Sequence, residues 1–386
     1  MSKFSEMNFS DFITLQRGYD LTREQFEDGP YPVVSSTSIM GYHKVCKVKG
    51  PGVVTGRSGT IGQVQYIESD FWPHNTSLYV KDFKGNDVKF VYYFLRFFNP
   101  ARRQTGSAVP TLNRNNLSAI KISVPDIPTQ RKIASILSAY DDLIEVNRKQ
   151  IKLLEEAAER LYQEWFIDLR FPGYEHTTVV DGLPEGWKES RVGELYSKLE
   201  SGSRPKGGID SSITNGVPSV GAENVIGLGQ YNYASEKLVT HDFFDKSKRG
   251  IIGNKDILIY KDGAYIGKTS LFQDGFPRRD AMVNEHVFLL HAKEETSQYY
   301  LFFTLHQNIY FEKMQKLNKN SAQPGINQEA IKSLGLIIPS DRVLGQFDAM
   351  VTPMISKLFA LAKQNHELAE ARDILLPRLM NDEIEL

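Results

Sequence analysis

The sequence predicts a mixed α/β (α+β) protein: two tandem globular domains separated by two long antiparallel coiled-coil helices, related by a pseudo-twofold internal repeat. Three observations predict this: a gap-free internal repeat, two long heptad stretches, and short apolar runs of strand length between them. Residues 107–166 align with 321–380 at a constant offset of 214. Ser107, Ala108, Pro110, Asn113 and Pro125 meet Ser321, Ala322, Pro324, Asn327 and Pro339; Leu154, Glu156, Ala157 and Leu161 meet Leu368, Glu370, Ala371 and Leu375. A weaker echo lies upstream, where residues 53–64 match 258–269 and residues 31–34 match 217–220. A period this long is a domain duplication, not a solenoid.

The helices are the clearest elements. Between Thr129 and Asp168 there is neither Pro nor Gly. Ile133, Tyr140, Asn147, Leu154 and Leu161 recur every seven residues, with Leu137, Ile144, Ile151, Ala158 and Trp165 four residues on. That is an a/d seam. Pro125 and Pro128 block an earlier start, and Thr129 is the expected N-cap. The second helix is expected from Asp341 towards Asn381. Phe347, Met354, Leu361, Leu368 and Leu375 form one seam; Val351, Leu358, Asn365, Arg372 and Leu379 form a poorer one. Pro353 predicts a kink or a late start, and Pro377 a disturbed last turn. If the helices pair antiparallel, Asn147 and Asn365 fall at one level, either as a buried pair that fixes register or facing solvent.

The remainder reads as mixed α/β. Strands are expected at 50–56, 61–67, 77–83 and 120–125, and in the second copy at 256–260, 269–274, 287–292 and 334–339. The aromatic stretch 88–98 and its counterpart 296–307 read as short core helices.

Composition narrows the class. The chain has 386 residues, 41% hydrophobic and 24% charged, with a net charge of −1 and a pI near 6.7. This is an ordinary globular composition. Bulk charge gives no argument for nucleic acid, and local clusters would have to supply it. The single Cys46 makes no internal disulfide, no run is long enough for a membrane helix, and the first residues lack a signal-peptide core. A cytoplasmic protein is expected.

No catalytic constellation emerges. Residues 263–269 resemble a phosphate loop but have three residues between the glycines where four are needed, and a strand is expected to follow. No Asn-Pro-Pro or Asp-Pro-Pro followed by an aromatic occurs. Asp70, Asp82 and Lys84 only faintly resemble a nuclease carboxylate set, and the histidines lack metal-ligand spacing. What does occur, twice, is a set of polar loops. In the first copy they carry Arg57, Ser58 and Thr60, then His74 and Asn75, then Arg102 and Arg103, then Asn113 and Arg114. In the second they carry Arg204 and Lys206, then Lys261, Tyr265 and Lys268, then Arg278 and Arg279, then Asn284 and His286, then Lys319 and Gln323. Such side chains read base edges and hold phosphates. Each loop alone reads first as a solvated turn; repetition at equivalent places makes them candidates for binding DNA.

The pattern resembles the specificity subunits of type I restriction–modification systems over nearly the whole chain. The residues that carry it are the paired loops Gly106–Asn113 and Asn320–Asn327, the strand ends Val124–Pro125 and Ile338–Pro339, Ile127–Ala134 at the first helix start, Leu161–Phe166 at its end, Leu183–Trp187, and the Gly59–Gly62 turn. The pattern departs from the family at the first domain, which lacks a Pro-Glu-Gly-Trp lead-in, and at the second helix, which opens Ser340–Asp341–Arg342 and ends Leu375–Met380. The resemblance implies target-recognition domains at 1–128 and 187–340, a central spacer helix at 129–168, a linker at 169–186 and a C-terminal spacer helix at 341–386. Each domain would read half of a split, asymmetric site in double-stranded DNA. The helices would set the spacing and dock two methyltransferase subunits, joined by two restriction subunits. The chain itself would be non-catalytic and carry no cofactor; S-adenosylmethionine, and ATP with Mg, are expected on the partners. The alternative is a coiled-coil scaffold with two protein-binding modules and no DNA specificity. A stand-alone nuclease or methyltransferase would need the active site that is missing.

Overall fold

A computed structural model describes residues 4–58, 61–99, 112, 114–318 and 324–386. The chain forms two compact units: Met1–Ile144 with Glu367–Leu386, and Glu145–His366.

The first unit contains β1 (Phe4–Asn8), α1 (Phe9–Phe12), β2 (Thr14–Arg17), β3 (Tyr31–Val34), β4 (Ile39–His43), β5 (Gly52–Gly56), β6 (Val64–Ile67), β7 (Trp72–Pro73), β8 (Ser77–Asp82), α2 (Val88–Phe98), α3 (Arg114–Ser118), β9 (Lys121–Pro125) and the first half of α4 (Ile127–Tyr162). Three sheets result: antiparallel β2-β8-β5-β6, β4-β3-β7 with β3 and β7 parallel, and the antiparallel pair β1-β9. β5 is buried along its whole length, as a central strand should be. Asp87 caps α2 by accepting the Phe90 N–H at 2.9 Å. The aromatic stripe of α2 is core: Phe90, Tyr93 and Phe94 pack with Phe12, Ile133 and Leu137, and with Leu376, Leu379 and Met380 from the chain's last helix.

The second unit repeats this plan. It contains β10 (Val179–Val180), β11 (Leu183–Pro184), β12 (Lys188–Arg191), α5 (Val192–Leu195), β13 (Tyr196–Ser201), β14 (Val217–Val220), β15 (Leu238–Val239), α6 (His241–Lys246), β16 (Asp256–Tyr260), β17 (Thr269–Phe272), β18 (Met282–Val283), β19 (Val287–Ala292), α7 (Gln298–His306), α8 (Asn308–Lys316), α9 (Gln328–Lys332), β20 (Gly335–Ile338) and much of α10 (Asp341–Met380). The sheets β13-β19-β16-β17, β15-β14-β18 and β12-β20 have the strand orders of the first unit. Ser297 caps α7 through the Tyr300 N–H, as Asp87 caps α2. Seven consecutive residues of α7, Tyr299–Leu305, are buried. A helix that is apolar all round belongs inside a core, and each fully buried large side chain contributes roughly 1.5–3 kcal/mol. Trp187, at the end of the Leu183–Trp187 motif, closes the linker by packing on Phe171 and Phe166, ring centroids 5.2 and 6.0 Å away.

The long helices depart from expectation in three places. α4 starts at Ile127, not Thr129: the cap is Asp126, whose carboxylate accepts the Thr129 N–H at 3.0 Å. Pro128 sits in the first turn, where its missing N–H costs nothing. α10 starts at Asp341 and runs through Pro353 as one element, so there is no late start; the Pro353 side chain is exposed. Asn147 is buried, and its partner is Gln364, not Asn365: Asn147 Nδ2 donates to Gln364 Oε1 at 2.8 Å. Within the second unit this contact and the Trp165–Phe347 contact, with centroids 6.1 Å apart, make the helices antiparallel. α4 ends in a turn of π-helix, Gln163–Ile167.

Candidate nucleic-acid interface

Sheet register makes the two copies comparable residue by residue. Arg17, at the end of β2, faces Leu78, and Ser201, at the end of β13, faces Phe288. Gly56, at the end of β5, faces Ser77, and Tyr260 faces Val287. It follows that Gly18 and Gly202, Asp20 and Arg204, Arg57 and Lys261, and Asn75 and Glu285 are equivalent pairs.

The same backbone framework holds each set. The Arg57 N–H donates to the Thr76 carbonyl at 3.0 Å, and the Arg57 carbonyl accepts from Leu112 N–H at 2.8 Å. In the second copy the Lys261 N–H donates to the His286 carbonyl at 3.0 Å, and the Lys261 carbonyl accepts from Ile326 N–H at 3.0 Å. The side chains repeat as well. Arg57 Nη1 donates to the Asn75 carbonyl at 3.3 Å, and Lys261 Nζ to the Glu285 carbonyl at 2.9 Å. Three loops thus meet in each copy: the one after β5 or β16, the one before β8 or β19, and the one leading to α3 or α9. Gly18 and Gly202 allow the closest approach. A Cβ on Gly18 would lie 2.2 Å from the His74 carbonyl oxygen, and one on Gly202 would lie 1.6 Å from that of Val283. No side chain fits at either place.

The side chains on this framework differ. In the first copy Asn75 Nδ2 donates to Asp20, which also pairs with Arg17 at 2.7 Å. In the second, Arg204 Nε pairs with Glu285 Oε1 at 2.7 Å, and the His286 ring contacts Asp262. His74 and Asn284 are buried turn residues. The His74 ring bonds Thr76 Oγ1 at 2.9 Å and the Leu21 carbonyl at 3.1 Å; Asn284 Oδ1 accepts the His286 N–H at 2.9 Å. Both shape the loop from beneath.

Other candidates sit elsewhere. Ser58 follows Arg57, and its N–H reaches the Thr76 carbonyl at 3.3 Å. Arg114, exposed at the start of α3, reaches the Leu15 carbonyl at 3.4 Å. Tyr265 is 55% exposed on the β16–β17 turn, with Lys268 Nζ 4.1 Å from its ring centre. Arg278 is tied to Glu236 at 3.2 Å. Arg279 and Lys206 are exposed. Thr60, Arg102, Arg103, Asn113, Lys319 and Gln323 lie outside the described residues. Asp70 bonds the Gly50 N–H at 3.0 Å and Lys49 at 2.7 Å, and the lysine holds its carboxyl below the usual range; this is a turn, and no metal-binding cluster occurs among the described residues. Thr269 begins β17 two residues after Gly267, so the phosphate-loop resemblance ends in a strand.

Sequence reasoning did not select Asp20 and Glu285. The one local signal for Asp20 is the shared glycine of Gly18–Tyr19–Asp20 and Gly202–Ser203–Arg204, and Glu285 has none.

Comparison with known proteins agrees with this duplicated plan. The family model for the type I restriction modification DNA specificity domain matches residues 1–156 and 184–346. The type I restriction enzyme MjaIX specificity subunit of Methanocaldococcus jannaschii is 28% identical over 287 residues, 72% of this chain and 64% of that protein. The HindI specificity subunit of Haemophilus influenzae is 21% identical over 348 residues, 75% of this chain and 74% of that one. The chain spans less than two thirds of the length of the two Methanocaldococcus jannaschii relatives MjaIX and MjaVIII. In fold, the crystal structure of a type I restriction–modification S subunit from M. genitalium matches with a TM-score of 0.62 at 17% identity, covering 97% of this chain and 96% of that one. With both copies matched, the chain belongs to the type I restriction modification DNA specificity domain family.

Proposed function

We propose that this protein is the DNA sequence-specificity subunit of a type I restriction–modification complex. The observation that carries the reading is the register-equivalent framework: one backbone scaffold, built twice, presenting different polar side chains at the same points. A reader of two unlike half-sites needs that arrangement, because the scaffold positions and the side chains specify. The recognition domains are 1–128 and 187–340, the spacer helices 129–168 and 341–386, and the linker 169–186. The 36 and 40 residues of α4 and α10 span about 54 and 60 Å. Half-sites one DNA turn apart are about 34 Å apart, within that length.

The chain does no chemistry in this reading. Two methyltransferase subunits dock on the helices and carry S-adenosylmethionine; two restriction subunits carry ATP and Mg. With a net charge of −1, the isolated chain holds DNA weakly, and the partners complete the basic channel. Among the described residues no helix is long and apolar enough to cross a membrane; the complex works in the cytoplasm. Candidate DNA contacts are the loop residues around Arg57, Asn75 and Arg114, and around Arg204, Lys261, Tyr265, Arg279 and His286.

The test is a genome-wide map of methyladenine with the gene intact and deleted. Loss of one split, asymmetric motif supports the reading; an unchanged map in a strain whose methyltransferase partner is expressed overturns it in favour of a scaffold. Arg57→Ala and Lys261→Ala should each relax one half of the motif, because each side chain ties down the loop that carries Asn75 or Glu285.

A further inference from the structure

Resting on that reading, we infer that Glu285 is a positioning residue that holds Arg204 to read a guanine in the second half-site, and that Asn75 at the equivalent point reads an adenine in the first. Arg204 is the best-prepared base reader among the described residues. Its Nε is fixed by Glu285 Oε1 at 2.7 Å, its side chain is 59% exposed, and its contacts within the described residues end there. With Nε against the carboxylate and the side chain 59% exposed, the two Nη groups are left for a ligand. Two parallel N–H donors match the O6 and N7 acceptors of guanine in the major groove.

The ion pair is too exposed to matter much for stability, since pairs in water contribute little. Its physical effect is orientation: a long flexible side chain is biased towards one rotamer before it meets DNA, so less freedom is lost on binding. Glu285 is itself held from behind. Its backbone carbonyl accepts from Lys261 Nζ at 2.9 Å, and His286 Nε2 lies 3.5 Å from Oε1.

The first copy carries the complementary chemistry at the same register. Asn75 gives one of its two amide hydrogens to Asp20, and Arg17 meets the charge of Asp20 at 2.7 Å. The second amide hydrogen and Oδ1 match N7 and N6 of adenine. Asp20 stands to Asn75 as Glu285 stands to Arg204: an acid that fixes the reader's orientation. The roles are exchanged between the two loops, since the reader lies on the β2-side loop in one copy and on the β8-side loop in the other.

The test uses chromosomal variants of the full chain with its natural partners, read by the methyladenine map, with the deletion strain as reference. Arg204→Lys keeps the charge and removes the fork; Glu285→Gln keeps the shape and removes the charge. Arg204→Lys should make one guanine in one half-site degenerate, lowering discrimination there by about 10-fold or more; Glu285→Gln should weaken the same position by no more than about 5-fold, with the other half unchanged in both. The double variant should be no worse than the worse single, because the two act as one unit. Asn75→Asp should affect an adenine in the other half only. If deletion removes a motif but Arg204→Lys leaves every position as selective as before, this inference is wrong while the functional reading stands. If deletion removes no motif, the reading itself fails. Uniform loss across the whole motif, with the chain at normal level and melting temperature, assigns Arg204 to a phosphate and also overturns the inference.

Discussion

In the first unit Tyr93, Asp141 and Arg372 form a hydrogen-bonded chain: Tyr93 Oη donates to Asp141 at 2.6 Å, and Arg372 donates to the same carboxylate. At the positions equivalent by the repeat, the second unit has Phe303, Ile355 and Ala158, all fully buried. One fold accommodates a charged triad and an apolar triad at the same junction between a recognition-domain helix and the long helices. Neighbouring residues follow suit. Arg96 pairs with Asp373 at 3.3 Å, while its counterpart His306 lies 3.9 Å from Glu159. The lesson is that packing shape is what the repeat retains here. A buried ionic group adds little net stability over a well-packed apolar one but makes its members interdependent.

The comparison can be broken most sharply at Asp141. Asp141→Ala leaves the Arg372 guanidinium with Asp373 alone, at 2.8 Å, and takes the acceptor from the Tyr93 hydroxyl, which burial has already pushed far above the ordinary tyrosine range. It should cost about 3 kcal/mol of stability in urea unfolding. Installing the second unit's set instead, Y93F with D141I and R372A, should restore stability to within about 1 kcal/mol of the native chain or exceed it. If the triple variant is as weak as the single one, the triad is doing more than filling space.

A second difference is one of pH. Glu155 in the second unit has Ala369 as its counterpart. Burial, then the nearby charge of Glu159, raises its carboxyl to about 7, against a Leu228 N–H that favours the ionised form. The folded pKa lies above the unfolded one. The stability tied to this proton is therefore complete below about pH 4.5 and is lost as pH rises through 7. Glu155→Gln should match the native chain near pH 4.5 and exceed it by about 2 kcal/mol at pH 8. A constant difference across that range would assign the effect to packing.

The smallest effect is expected at Asn147, where the other repeat has Leu361. Gln364 is exposed and can turn to water, so Asn147→Leu should change stability by less than about 1 kcal/mol. What it should loosen is the register of the helix pair, measurable as faster amide exchange of α4 around residue 147.

Much of this was legible in the sequence because it is periodic. The heptads of α4, the aromatic helix α2, and the central strands β5, β8, β16 and β19 all announce themselves through local pattern. β1 and β12 do not. Phe4–Asn8 is short and mixed, Lys188–Arg191 is polar and largely exposed, and both become strands only because β9 and β20 offer them edges. The start of α4 was missed by two residues because Pro128 was read as a barrier when it serves as a first-turn residue. The interface was legible as a set of loops but not as a geometry. Asn75 meets Asp20 across 55 residues of chain, and nothing local reports a contact of that kind. His74 and Asn284 carry the polarity of a ligand and the burial of a core residue, which composition cannot distinguish.

The length differences between the two copies fall between framework strands, whereas α3 through the start of α4 and α9 through the start of α10 keep one offset without a gap. Insertions are thus absorbed upstream, before they reach the helices. A loop at Asp20, Arg204 or their neighbours can lengthen or be replaced while the strand and helix start that follow keep their register. Change in the loops is thereby uncoupled from change in the long helices.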